Sequence, residues 1–319
     1  MTSALLVRKL DDLPNWLRAG GAVSVGNFDG VHRGHARIVQ RLVQRARQLD
    51  GPVVVFSFQP HPANVLRPEA APTPLVWPER KAELLGRLGV DALIAYPTDS
   101  EILALPAKDF FQRVLVEQLA TRALVEGPNF RFGRQRAGTI ELLGQLCRKN
   151  GVTLDIVEPL LVGGEYVSSS RIRRLIQAGK LRDANQLLTA PHRIRGKVVV
   201  GARRGRTLGF PTANLDVGDL LVPPAGVYAG RAIIDAGTYT AAVHVGTNPT
   251  FGEAVPKIEV HLLDFDGDLY GTWLEVELLD HIRGIRPFEN GAALIRQLQK
   301  DMETVRLVAE RDTASSSKQ

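Results

Sequence analysis

The chain is 319 residues long, 44% hydrophobic and 23% charged, and its 40 Lys and Arg outnumber 34 Asp and Glu for a formal charge of +6. At roughly 100–200 residues per domain, this is length for about two domains with sizeable cores. A single cysteine, Cys147, excludes an internal disulfide, and no apolar run approaches the ~18 residues of a membrane span, so a soluble cytoplasmic protein without a signal peptide is expected.

From the N-terminus, apolar runs alternate with helical patterns. AVSVG at 22–26 predicts a short strand, and residues 35–49 place Ile38, Val39, Leu42, Val43, Ala46 and Leu49 on one helical face. The β-branched run PVVVFSF at 52–58, bounded by Gly51 and Pro60, predicts a buried strand. Helices are predicted over 79–88, 108–119 and 139–149, and strands over 91–96, 123–127 and 153–158. Such alternation predicts an α/β domain with a parallel sheet, whose ligands sit where strand carboxyl ends meet helix N-termini. A helical segment over 171–188 closes it, which puts the domain boundary near residue 188.

Beyond residue 190 the pattern changes. Strands are predicted in succession over 194–200, 227–234, 239–245, 257–263 and 273–279, separated by turns such as DAGT (235–238) and DFDGD (264–268). That is the pattern of an antiparallel sandwich or barrel. A helix over 291–309 closes this domain, and TASSSKQ (313–319) reads as a disordered tail. The expected organisation is therefore 1–188, 189–312 and a tail at 313–319.

Arginine clusters at 171–174 (RIRR), 192–197 (HRIRGK) and 202–206 (ARRGR) carry much of the positive excess. Such clusters attract nucleic acid or small phosphorylated ligands, or serve as solvated surface. Nucleic-acid binding calls for aromatic platforms among basic strands, and aromatics make up only 6% of the chain, so no nucleic-acid partner is expected.

At the first strand–helix corner the chain reads GNFDGVHRGH (26–35). A helix start offers free N–H groups and a positive dipole, so anions settle there. Gly26, Gly30 and Gly34 let a phosphate approach the backbone, and His32 and His35 add donors about one turn apart. Ordinary loop histidines or a metal pair are the other readings; no acidic or cysteine partner stands at a convincing ligand spacing.

The pattern G-x-F-D-G-x-H-x-G-H resembles the signature of HxGH nucleotidyltransferases, in the variant of the bifunctional riboflavin kinase/FAD synthetase family of bacteria. FQPHP (58–62), EGPNFRFG (126–133) and VSSSRIR (167–173) are similar to further motifs of that family. The resemblance implies a Rossmann-like module in which the phosphate of FMN attacks the α-phosphorus of ATP and releases pyrophosphate. It implies that Gly26, Phe28, Asp29, Gly30, His32, Gly34, His35, Asn129, Ser169, Ser170 and Arg173 hold ATP, with His32, His35 and Arg173 catalytic. It further implies a flavin site at Phe58, Pro60, His61 and Phe130. Departures from the family are Gln59 and Pro128 at positions that usually carry an acidic or polar residue, and Ser170 in place of Thr. They leave room for a chain active only as the kinase.

GARRGRTLGFPTANL (201–215) spaces Gly201, Gly205 and Gly209 four apart and is neither a Walker loop nor G-x-G-x-x-G. With Arg203, Arg204 and Arg206 it reads as a phosphate cradle or as a basic hairpin between strands. G-x-x-x-G-x-x-x-G-F-P-T-A-N resembles the flavokinase domain of the same family, as do PAGVYA (224–229), VGTNPTF (245–251), IEVHLLD (258–264) and DGDLYG (266–271). The resemblance spans roughly residues 20–310. It implies a β-barrel that transfers phosphoryl from ATP to riboflavin. Glu259 is then the base for the 5′-hydroxyl. Gly201, Gly205, Gly209, Thr212 and Asn214 hold ATP, and Thr212 and Asn214 give oxygen ligands to Mg²⁺. IRGIRPF (282–288) departs from the family pattern at Gly284 and Ile285.

Overall fold

The computed structural model describes residues 3–201, 209–246 and 257–316. They fall into two compact units, Met1–Ser169 and Ser170–Gln319. The first unit is built on six strands: β1 (Leu5–Val7), β2 (Ala22–Val25), β3 (Val53–Gln59), β4 (Ala92–Pro97), β5 (Ala123–Glu126) and β6 (Thr153–Ile156). Their order is β1-β4-β3-β2-β5-β6, and every neighbouring pair is parallel. Five of these strands are the predicted ones. The three-residue β1 adds an edge strand too short for a periodic signal. The strand order turns back between β2 and β5, which opens a crevice at their carboxyl ends.

Buried on both faces, β3 runs VVVFSFQ, the continuous apolar composition of a central parallel strand. Helix α1 (Arg33–Leu49) buries Val39, Leu42 and Ala46 on one stripe, as its period requires. After β3 come α2 (Pro62–Leu66), α3 (Pro78–Arg87) and, beyond β4, α4 (Ser100–Ala104). The helix predicted over 108–119 is α5 (Ala107–Asp109) continued by π-type turns at Phe110–Gln118. Helix α6 (Ile140–Lys149) is as expected. A hairpin of β7 (Leu161–Val162) and β8 (Glu165–Tyr166) was not legible, since each strand is a single dipeptide. Phe56 is fully buried at the centre of the unit, with its ring 5.3 Å from Phe58, 5.8 Å from Tyr96 and 5.9 Å from Phe110.

The helical segment predicted over 171–188 is two helices, α7 (Ser169–Gln177) and α8 (Leu181–Leu187). Gly179 takes φ +73° between them, the left-handed cap that ends a helix. The second unit is a closed antiparallel barrel of β9 (Arg193–Val199), β10 (Ala213–Asp216), β11 (Gly226–Ile234), β12 (Gly237–Gly246), β13 (Lys257–Leu262) and β14 (Trp273–Arg283). Its order is β10-β13-β12-β11-β14-β9. A barrel, rather than a sandwich, follows from β10, the strand that the sequence reading left inside a loop. Interior positions are filled by Ile194, Tyr228, Val243, Val260, Leu274 and Val276.

The closing helix, Gly291–Ser316, runs past the expected Ala309. It takes in the first four residues read as a disordered tail, and Thr313 Oγ1 donates to Ala309 O within it. Residues 317–319 lie outside the described residues. Buried Asp301 ties this helix to β14 by accepting from Arg283 Nε at 2.9 Å and Nη2 at 2.7 Å.

Phe56→Ala removes the central ring beneath the crevice. It is expected to destabilise the first unit by about 3–5 kcal/mol. Urea unfolding reads this as an earlier transition for that unit, with the barrel's transition unmoved.

Candidate active sites

The first site grows from the end of β2. Val25 N donates to Glu126 Oε1 across the crevice at 2.7 Å. Glu126 is 3% exposed, and burial pushes its carboxyl well above the usual range, with the hydrogen bond from Val25 opposing. Burial thus favours its protonated form. The chain then turns through left-handed backbone at Phe28 (φ 46°), Gly30 (φ 80°) and Val31 (φ 41°). Left-handed geometry is strained for Phe and for β-branched Val, and it persists because its surroundings fix it. Phe28 and Val31 are buried. The Asn27 carbonyl accepts from Lys81 Nζ at 2.7 Å and from Ser57 Oγ at 3.2 Å. The Asp29 carboxylate accepts from Leu75 N at 3.0 Å, and the Asp29 carbonyl accepts from Ser169 Oγ at 2.8 Å.

This turn delivers two imidazoles to the start of α1. His35 N donates to His32 Nδ1 at 3.2 Å, and His32 N donates to His35 Nδ1 at 3.3 Å. The result is a reciprocal cap built from histidines instead of the usual Ser/Thr and Glu pair. The rings stack with centroids 3.5 Å apart and planes 14° from parallel. An Nδ1 that accepts carries no proton, so each neutral ring holds its proton on Nε2. Burial lowers His32 to about 4. Burial, then the charges of His32 and Lys81, lower His35 well below its ordinary value. At pH 7 the corner therefore presents two neutral Nε2–H donors beside the positive end of a helix.

Gly26, Phe28, Asp29, Gly30, His32, Gly34, His35 and Ser169 thus come together in the first unit. Asn129 stands exposed in the turn after β5. Phe58 and Phe130 are half-buried against the same apolar core, and Phe130 stacks on Phe132 at 5.5 Å. His61 Nδ1 accepts from Ala63 N and caps α2 beside exposed Pro60. Ser170 and Arg173 belong to the second compact unit; α7 starts at Ser169, so Ser170 lies inside its first turn rather than at its cap. Sequence reasoning missed Lys81, Ser57 and the role of Glu126. In PERKAELL, Lys81 reads as a solvated helix charge, and nothing in the local pattern marks it as buried.

In the barrel, Glu259 of β13 stands directly opposite Asn214 of β10 and His244 of β12. Residues directly opposite in antiparallel strands share a face, so the three side chains form a row. His244 Nδ1 lies 3.6 Å from Glu259 Oε2. Gly201 packs on this row, since a Cβ there would lie 2.1 Å from Asn214 Nδ2. No side chain fits at 201 while Asn214 keeps its place. Thr212 lines a cavity of about 400 Å³ walled by Val198, Pro211, Val260, Leu262, Phe265 and Tyr270. Gly209 takes φ +83° before it. Gly205, the arginines at 203, 204 and 206, and residues 247–251 lie outside the described residues. Among the described residues no cluster of three or more His, Cys, Asp or Glu is placed to hold a metal. The Thr212 hydroxyl and Asn214 amide are hard oxygen donors, which fits a cation that also takes phosphate and water oxygens.

A family model described as FAD synthetase matches residues 16–171, and one described as riboflavin kinase matches residues 188–309. The chain is 36% identical over 305 residues to a bifunctional riboflavin kinase/FMN adenylyltransferase of Pseudomonas fluorescens, covering 95% of this chain and 97% of that relative. It is 34% identical over 302 residues to one of Escherichia coli K12, covering 94% and 96%. A crystal structure described as a macrolide-efflux protein from Streptococcus pneumoniae matches with a TM-score of 0.82 and 31% identity, covering 96% of this chain and 99% of that one. Among the described residues no helix is long and apolar enough to cross a membrane.

Two measurements check the corner. In ¹⁵N-histidine spectra, His32 is expected as the Nε2–H tautomer with no titration between pH 8 and about 5.5; a midpoint at 6.5 would refute the cap. Glu126 has a folded-state pKa above its unfolded value of 4.5. Its contribution to stability is thus full below that value and falls as pH rises. Glu126→Gln, which keeps an acceptor for Val25 N, is expected to raise the melting temperature relative to wild type at pH 8, with the gap closing towards pH 4.5.

Proposed function

Because the chain belongs to the family of bifunctional riboflavin kinase/FMN adenylyltransferases, we infer that it makes FMN from riboflavin in residues 189–312 and FAD from FMN in residues 1–188, with one ATP for each step. The observation that carries this reading is the chemical difference between the two sites. One is a helix mouth of neutral donors without an available base; the other is a barrel row with a carboxylate beside oxygen donors.

The first site suits adenylyl transfer. The phosphate of FMN is already an anion, so attack on the α-phosphorus of ATP needs no base, and the negative charge on the departing pyrophosphate must be stabilised. His32 and His35 donate Nε2–H to the triphosphate, and the N-terminus of α1 adds its dipole. Gly26, Gly30 and Gly34 let phosphate oxygens reach the backbone, and the turn held by Phe28 and Asp29 sets their position. Asn129 and Ser169 complete the grip within this unit; for Ser170 and Arg173 the ATP-binding role, and for Arg173 the catalytic one, rest on the motif resemblance alone. Phe58, Pro60, His61 and Phe130 bind the flavin against the apolar core.

The second site suits phosphoryl transfer to an alcohol. A neutral 5′-hydroxyl is a poor nucleophile, and Glu259 accepts its proton as it attacks the γ-phosphorus. The adenine enters the cavity lined by Pro211, Val260 and Tyr270, with Gly201, Gly205 and Gly209 along the phosphates. Thr212 and Asn214 would hold Mg²⁺, which neutralises phosphate charge when bound. Gly201 leaves Asn214 the space it occupies there. A cytoplasmic setting, where ATP is made available, is part of this reading.

Two variants separate the halves. Glu259→Ala is expected to lower FMN formation by about 10²–10⁴-fold and to leave adenylylation of supplied FMN unchanged. The double change His32→Ala and His35→Ala is expected to do the reverse. Product analysis from riboflavin or FMN with Mg·ATP reads both; a folded variant that loses both activities would overturn the assignment.

A further inference from the structure

Lys81 is 5% exposed, on a helix whose other buried positions include Ala82, Leu84 and Leu85. Burying an ammonium group is costly unless its donors are met and its charge is used. Lys81 Nζ donates to Asn27 O at 2.7 Å and to Ser57 Oγ at 3.2 Å, and Ser57 Oγ donates to the same carbonyl at 3.2 Å. Two of these bonds end on the carbonyl of the peptide that precedes Phe28, and the third joins their two donors. The left-handed Phe28 begins the turn that ends at His32, so the direction of the Asn27 carbonyl governs where the imidazoles lie. Lys81 also acts on the pair through its field, as one of the charges that keep His35 neutral. The charged or titratable groups that act on it or that it acts on are Asp29 from the loop and His35 from α1. Its neighbour on α3, Arg80, pairs with Glu83 at 2.7 Å.

We propose that Lys81 is a positioning residue for adenylyl transfer, whose buried ammonium group clamps the Asn27 carbonyl and sets a standing positive charge beneath the imidazole pair. This rests on the reading of that corner as the ATP site. The clamp keeps the strained turn in the one form that points both Nε2–H groups at the ligand. The charge strengthens binding of a polyanion without adding a protonated imidazole, which the reciprocal cap forbids. A purely structural lysine would do the first and not the second.

The two roles separate by pH. Burial lowers Lys81 to about 8, opposed by the carboxylate of Asp29. Its charge is present below that value and is lost as pH rises through it. The kcat/KM for ATP in FMN adenylylation, which reports on free enzyme, is then expected to fall above pH 8 in the wild type.

Lys81→Met keeps the length of the side chain and removes the charge. It is expected to lower that kcat/KM by about 100-fold, the scale of losing one preorganised electrostatic group, and to remove the alkaline limb. Lys81→Arg is expected to recover part of the loss. Riboflavin phosphorylation by the same molecules, measured with Mg·ATP, is expected to stay within twofold. Adenylylation by Lys81→Met within threefold of wild type, or an alkaline limb that persists in it, would overturn the proposal. If Lys81→Met does not fold, the wild-type profile decides alone: absence of a limb near pH 8 overturns it. A wild-type protein that makes no FAD from FMN would instead defeat the reading of the site itself.

Discussion

The first site depends on one interaction, the mutual capping of His32 and His35. A helix start leaves backbone N–H groups without partners. A carboxylate could take them, but it would set negative charge where the proposed reading puts a triphosphate. Imidazole takes them with Nδ1 and turns an N–H outward on the other side of the ring. That arrangement works only while both rings are neutral, and burial ensures it by disfavouring the cation. Neutrality also permits the 3.5 Å stack, since two imidazolium rings face to face would repel. The glycine between them follows from the same packing: a Cβ at Gly34 would lie 3.0 Å from His32 Nδ1. The H-x-G-H spacing is thus the shortest description of a three-dimensional requirement.

The two nucleophiles explain why the sites share so little. An FMN phosphate arrives charged, so the corner contains no carboxylate free to act as a base. The Asp29 carboxylate accepts from Leu75 N, and burial shifts Glu126 towards its protonated form. A riboflavin hydroxyl is neutral, and on the proposed reading Glu259 serves it; the strands beside Glu259 set Asn214 and His244 directly opposite. Each site is matched to the charge of what attacks.

What the sequence disclosed follows from how local each cause is. Alternation of strand and helix, the corner glycines and the histidine pair are written in consecutive residues, and the parallel sheet and α1 appear where those patterns put them. Asn214 was legible as a ligand candidate, but its strand was not, because Ala213–Asp216 is short and its pairing partners lie 15 and 45 residues away, as Val199 and Glu259. The break between α7 and α8 was written in Gly179 and passed over, since the apolar period continues across it. Lys81 and Glu126 were out of reach for a different reason. Their roles come from burial against a loop 54 and 101 residues away in sequence, and a charged residue in a helix or at a strand end carries no mark of that.

Those two buried groups show how the corner manages charge. Both sit at its root and both hold backbone, Glu126 the last N–H of β2 and Lys81 the carbonyl of Asn27. Burial penalises each charged form, yet the outcomes differ. Glu126 has the hydrogen bond from Val25 to offset the loss of water, and burial outweighs it and raises its pKa. Lys81 has two acceptors and the field of Asp29, which is enough to keep its charge at neutral pH. The root of the site therefore holds a fixed positive charge at Lys81, with the Asp29 carboxylate close enough to act on it through its field. The Asp29 carboxylate acts on Lys81 through space, while its oxygens accept from Leu75 N at 3.0 and 3.2 Å. A preorganised field of this kind costs no reorganisation when an anionic ligand arrives, which is the condition under which fixed charges and dipoles contribute most to catalysis.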